Sequence, residues 1–124
     1  MDYVKSFKDL EVYKLARKLA GEIYESTKKF PKEEMYSLTS QLRNSSRSIG
    51  AQIAEAWAKR CYEKHFISKL TDADGELQET EHWLETAHDC GYLTCHELKY
   101  FSNTYADLGR MLNSMINKSN VFCK

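Results

Sequence analysis

Phe66, Leu70, Ala73, Leu77, Thr80, Leu84, Ala87 and Gly91 follow one another at intervals of 4, 3, 4, 3, 4, 3 and 4 residues. An α-helix turns once every 3.6 residues, so side chains so spaced line one face. The stretch predicts a long helix over about residues 63–90 with a single buried seam. Gly91 suits its C-terminal cap, where left-handed backbone is cheapest for glycine. Thr94 followed by Glu97 forms a capping box that opens another helix, about 94–118. Its seam is Leu98, Phe101, Tyr105, Leu108, Leu112 and Met115, and it fades near Lys118, leaving a short tail with Cys123.

Upstream, the same period governs. Ser6, with Asp9 three residues on, is an N-cap signal for a first helix over about residues 7–29. Leu10, Tyr13, Ala16, Ala20, Ile23 and Thr27 form its seam, and Phe30-Pro31 closes it, because a residue before proline is pushed out of helical geometry. A second helix runs from Met35 or Tyr36 to about Arg60. Two seams compete on it: Leu38, Leu42, Ser45, Ile49, Gln52 and Ala56, or Ser46, Ile49, Ile53 and Trp57. Both remain open. Small residues (among them Ser45, Ser46, Gly50, Ala51 and Ala54) nearly surround this helix, which places it at the centre of a bundle or of an oligomer.

Four helices with short links in 124 residues make one all-α domain spanning residues 1–124. Its expected architecture is an antiparallel up-down-up-down four-helix bundle. One proline and five glycines argue against a turn-rich sandwich or barrel. A hydrophobic share of 42% argues against disorder. No run is long enough to span a membrane, and Met1-Asp2-Tyr3-Val4-Lys5 has no apolar leader, so a cytoplasmic location is expected. There Cys61, Cys90, Cys95 and Cys123 would stay reduced. Val12, Leu15, Leu19, Trp57, Trp83, Met111 and Ile116 fall off the seams; as a second apolar stripe they point to self-association.

The chemistry-bearing residues are few. Glu79/His82 and Glu85/His88 repeat the Glu-x-x-His spacing of di-iron bundles, but both lie on one helix, and Glu79 and His82 fall opposite the seam. A metal-binding or enzymatic bundle using these residues is the alternative reading. His88, Cys90, Cys95 and His96 gather around one turn without the spacing of a zinc finger. No serine is accompanied by an interpretable His–carboxylate arrangement, and Gly50 and Gly75 are isolated within helices, so there is no phosphate-cradling loop. Neither a catalytic residue, a cofactor nor a small-molecule substrate is assigned.

Charge is balanced overall, 18 basic against 18 acidic, but not evenly spread. Residues 1–69 hold 14 basic and 9 acidic side chains; residues 70–124 hold 4 and 9. Residues 70–90 carry seven acids and no Lys or Arg. Arg43 and Arg47, one turn apart, with Lys59 and Arg60 further on, could form a phosphate-contacting stripe. The balanced charge favours instead their pairing with the acids of the third helix, in the same subunit or the next.

The run Phe30-Pro31-Lys32-Glu33-Glu34-Met35-Tyr36-Ser37-Leu38-Thr39-Ser40-Gln41-Leu42-Arg43, followed by Ser48-Ile49-Gly50-Ala51-Gln52-Ile53-Ala54-Glu55-Ala56, resembles the bacterial four-helix bundle proteins of the ribosomal RNA intervening-sequence family. The opening Phe7-Lys8-Asp9-Leu10-Glu11-Val12-Tyr13 and the third helix to Gly91-Tyr92-Leu93 are similar to that family too. Asn44-Ser45 stands where the family has Arg-Ala, Gln52 where it has Asn, and Ala56 where it has Gly; one arginine is thereby lost from a phosphate-contacting set. The resemblance implies a ring-shaped homo-oligomer, a homopentamer by preference, whose biochemical role is not established. A related group binds RNA or the polymerase as accessories to retroelement reverse transcriptases; those proteins are strongly basic, unlike this chain. From it follows the expectation of a non-enzymatic, RNA-associated or protein-scaffolding module. Arg43, Arg47, Lys59 and Arg60 would be its phosphate or subunit contacts, and Phe30, Pro31, Tyr36, Gln41, Ile49, Gln52 and Glu55 its motif and packing residues.

Overall fold

The computed structural model describes residues 4–123. Among them there is no strand; the chain forms α1 (Glu11–Thr27), α2 (Leu38–Ala58), α3 (Glu63–Asp89), α4 (Cys95–Asn117) and a single turn, α5 (Ser119–Phe122). Four long helices therefore make up the fold. Each packs on its neighbour in sequence, and α1 also meets α4. No helix of the described residues is long and apolar enough to cross a membrane.

The third-helix seam is the centre of the core. Phe66, Leu70, Ala73, Leu77, Thr80, Leu84 and Ala87 are all buried. Gly91 has φ +81°, the Tyr92 N–H donates to the Ala87 carbonyl and the Gly91 N–H to that of His88. That pair of bonds is a Schellman ending, which a non-glycine residue at position 91 would strain. Thr94 Oγ1 then accepts from the Glu97 N–H at 3.0 Å while Glu97 Oε1 accepts from the Thr94 N–H at 2.9 Å, completing the expected capping box. On α4, Phe101, Tyr105, Leu108, Leu112 and Met115 are buried and Leu98 is half-buried.

Both candidate seams of α2 are largely buried, Ser45 of the first facing α3 and Ser46 of the second facing Tyr13 and Ala16 of α1. Ser45 accepts a hydrogen bond from Thr80 of α3 at 2.9 Å, whereas Gly50 lies under the Tyr13 ring of α1, where a Cβ would sit 3.6 Å from Cε1. Leu42, Ile49, Ile53 and Ala56 fill the space between, and Gln52 and Trp57 are half-buried at its edges. Small side chains on both flanks let α2 approach two helices closely.

Three sequence readings need correction. The first helix does not run unbroken from residue 7. Phe7–Asp9 form a 3₁₀ turn with its own Ser6/Asp9 capping box, and extended Leu10 (ψ 130°) interrupts before α1. The second helix begins at Leu38 rather than Met35 or Tyr36, because Lys32–Glu34 form another 3₁₀ turn and Ser37 is non-helical. Val12 and Leu19 are not a second stripe; they are 6% and 0% exposed and belong to the one core, while Tyr13 and Ala20 are only half-buried. The seam of α1 is thus rotated toward Val12, Ala16, Leu19, Ile23 and Thr27. Trp57, Trp83, Leu15, Met111 and Ile116 also pack against the core, half-buried.

Candidate functional site

Successive turns of α1 present Tyr13, Arg17, Ala20 and Tyr24, and its C-cap presents Lys28, at spacings of four and three, which puts them on one flank. The facing flank of α2 presents Arg43, Arg47, Ala51 and Ala54. Arg43 Cζ lies 4.6 Å and Arg47 Cζ 5.6 Å from the Tyr24 ring centroid, and Lys28 Nζ lies 5.0 Å from it. Arg43 Nε also donates to Thr27 Oγ1 at 2.8 Å, which fixes the guanidinium against α1. Arg17 Nη1 donates to the Tyr13 hydroxyl at 3.2 Å. The ring quadrupole favours cations over its face, so Tyr24 holds two guanidiniums together that would otherwise repel.

No carboxylate among the described residues pairs with those arginines. The ion pairs among the described residues are Lys14–Glu11, Lys28–Glu25, Lys29–Glu97, Lys69–Glu55 and Arg110–Asp107, and none includes Arg17, Arg43 or Arg47. The expected pairing of the α2 bases with the acids of α3 is therefore not made within one chain. The reason is rotational: Arg43 and Arg47 point to the α1 side of α2. Among the described residues the one ion pair between α3 and α2 is Lys69–Glu55, at 3.7 Å.

The four candidate bases do not form one stripe. At 1.5 Å per residue, Lys59 lies about 24 Å along the axis from Arg43. There Arg60 stacks on Trp57 with Cζ 4.0 Å from the ring, its Nη1 donates to the Trp57 carbonyl at 2.8 Å, and Lys59 is exposed. Of the motif residues, Ile49 and Phe30 are buried, Phe30 with its ring centroid 5.3 Å from that of Tyr92, and Pro31 is half-buried. Gln52 is half-buried with Oε1 unpartnered, Glu55 and Gln41 are exposed, and Tyr36 is 97% exposed, touching no core. Sequence reading missed Arg17, Tyr24 and Thr27 as site residues. The Tyr13/Arg17 and Tyr24/Lys28 pairs, each four apart, were the available signal, hidden because Tyr13 was read as seam.

The far side of the molecule is acidic. Burial, then Glu79 and Asp72, raise the Glu76 carboxyl above its ordinary value; burial, then Asp74 and Glu85, raise Glu81. Glu79 and His82 are exposed, as their position opposite the seam required. Around the α3–α4 turn, His88 Nε2 meets Cys95 Sγ at 3.3 Å, while His96 turns toward α1 beside Gly21 and Glu22. Among the described residues no three His, Cys, Asp or Glu side chains converge as metal ligands, and the four cysteines are free thiols.

The sequence profile described as "23S rRNA-intervening sequence protein" matches residues 8–114. A solved structure from Bacteroides thetaiotaomicron, described as a protein with unknown function from the S23 ribosomal protein family, is 30% identical. The match covers 86% of this chain and 95% of that one, with a TM-score of 0.78. No curated protein sequence matches the chain.

Proposed function

This chain belongs to the 23S rRNA-intervening sequence protein family, and from that premise we propose that it is a non-enzymatic helical-bundle oligomer whose α1–α2 flank binds the phosphate backbone of structured RNA. The observation that carries this reading is the set of three guanidiniums, Arg17, Arg43 and Arg47, gathered around Tyr13 and Tyr24 with no carboxylate of the described residues paired to them. Guanidiniums suit phosphate because their fork donates two parallel hydrogen bonds and sheds water readily. An overall charge of zero gives no net steering toward a polyanion, but segregated charge does: the α3 band repels phosphate and leaves the α1–α2 flank as the approach.

Short links and the packing of each helix on the next, with α1 meeting α4, support the up-down-up-down order. A ring of like subunits, five in the proteins this chain resembles, gives Tyr36 and the neighbouring Met35 (97% and 42% exposed) a partner to cover them. A cytoplasmic location fits four free thiols. The alternative, a metal-dependent bundle on Glu79, His82, Glu85 and His88, lacks any observation in its favour, and metal analysis of the purified protein checks it.

The test is a titration of structured RNA at several salt concentrations. Three phosphate contacts, at about 0.7–0.9 each, give a log–log slope of about −2 to −3. Arg43→Ala/Arg47→Ala is expected to weaken binding and to flatten the slope by about two-thirds. No binding even at low salt would overturn the proposal and leave the arginines to subunit assembly.

A further inference from the structure

Between α1 and α2, next to the guanidinium cluster, lies a cleft of about 330 Å³. That is the low end of the roughly 300–1,000 Å³ of small-ligand sites. Its lining is of small residues, Ala16, Ala20, Ser46, Gly50, Ala51 and Ala54, too small to fill it. One wall is the Tyr13 ring, held in place by Phe7 edge-on at 4.9 Å and 84°. The rim carries Arg17, anchored to the Tyr13 hydroxyl, and Arg47, shared with Tyr24. An apolar slot with an aromatic wall and two guanidiniums at its mouth matches a planar ring that bears anionic groups on either side. We propose that the α1–α2 cleft receives one unpaired nucleobase of a single-stranded RNA segment, with the flanking phosphates on Arg17 and Arg47.

The inference deepens the RNA-binding reading and rests on it. Duplex bases are stacked inside the helix and cannot enter a cleft, so duplex RNA would engage the arginines alone. A loop or bulge can splay a base onto an aromatic face. Apart from the Ser46 hydroxyl, whose proton is given to the Arg43 carbonyl at 3.1 Å, the small residues of the lining offer methyls and a glycine rather than a set of donors and acceptors, so the slot accepts any base by stacking and reads little sequence.

Ala51 lines the cleft yet is exposed on α2, so Ala51→Leu obstructs the slot without touching the core or any charge. Ala20→Leu obstructs it from the α1 side and serves as the second variant. The measurement compares affinity for a ten-nucleotide oligoadenylate strand with that for a ten-base-pair RNA duplex. The wild type is expected to prefer the strand. Each variant is expected to weaken strand binding at least about fivefold, the low end of base–aromatic stacking, and to leave duplex binding within twofold. Equal effects on strand and duplex, or none on the strand while duplex still binds, overturn the inference and spare the phosphate-binding reading. Binding of neither RNA overturns both. Loss of assembly size with RNA affinity unchanged assigns the cleft to a second copy of the chain and likewise overturns it.

Discussion

Tyr24 shows how one side chain can turn three cations into a surface. Arg43, Arg47 and Lys28 all lie within 5.6 Å of its ring, and only Lys28 is neutralised by a carboxylate, Glu25. The one-turn spacing of Arg43 and Arg47 singles them out as phosphate or subunit contacts, while balanced charge favours a pairing with the acids of α3 in the same subunit or the next. Spacing gives which residues share a face and not which neighbour that face meets. A different single residue tests the core. Tyr105 is fully buried, and its hydroxyl has no hydrogen-bond partner among the described residues; burial raises its pKa. A buried donor without a partner costs about 1–3 kcal/mol. Tyr105→Phe is therefore expected to leave stability unchanged or raise it by about 1 kcal/mol, read from the denaturant midpoint. A loss of 2 kcal/mol or more would show that the hydroxyl is satisfied in solution.

At the scale of elements, caps and periodic seams were legible and rotations were not. The Thr94/Glu97 box and the Gly91 ending follow from side-chain and backbone chemistry within a few residues, and both are present. Thr94→Ala is expected to cost about 1 kcal/mol, seen as a lower unfolding midpoint. On α2 the two seams are not separable by period because both are largely buried, Ser45 toward Thr80 of α3 and Ser46 toward Tyr13 and Ala16 of α1. On α1 the small Ala16 and Ala20 blurred the period, and the true face turned toward Val12 and Leu19.

Four carboxyls on these elements give stability a shaped pH dependence. Glu34 is held below its ordinary 4.5 by the Ser37 hydroxyl and then Tyr92, and Glu97 by Lys29 and then the Thr94 N–H. Their contribution is present above 4.5 and is lost as pH falls through their folded values. Glu76 and Glu81 act oppositely: their folded values lie above 4.5, so the folded state takes protons first and gains stability as pH falls toward 4.5. The melting temperature is expected to rise slightly from pH 7 to just above 4.5 and to drop below it. In Glu76→Gln/Glu81→Gln the rise should disappear; a rise that persists would place its origin elsewhere.

For the molecule as a whole, the all-helical fold was open to reading because one seam after another steps by threes and fours, and each such residue on α3 and α4 is buried or half-buried. Assembly was less legible. The apolar residues that hinted at a second stripe largely serve the single core; Tyr24, Met35, Tyr36, Tyr62, Tyr100 and Val121 are the large apolar or aromatic side chains left exposed among the described residues, and Tyr36 in the α1–α2 link, at 97%, is the barest. Tyr36→Ser is expected to leave the monomer folded and to reduce the mass seen by native mass spectrometry; an unchanged mass would move the contact to another surface.

RNA on the α1–α2 flank is the central proposal. Ultraviolet cross-linking of the intact protein to structured RNA, with the adducts mapped by peptide mass, addresses it most directly. Adducts on Tyr13 and Tyr24, lost in Arg43→Ala/Arg47→Ala, are the expected result. Adducts confined to Trp83, His82 or other residues of α3 and α4 would contradict it.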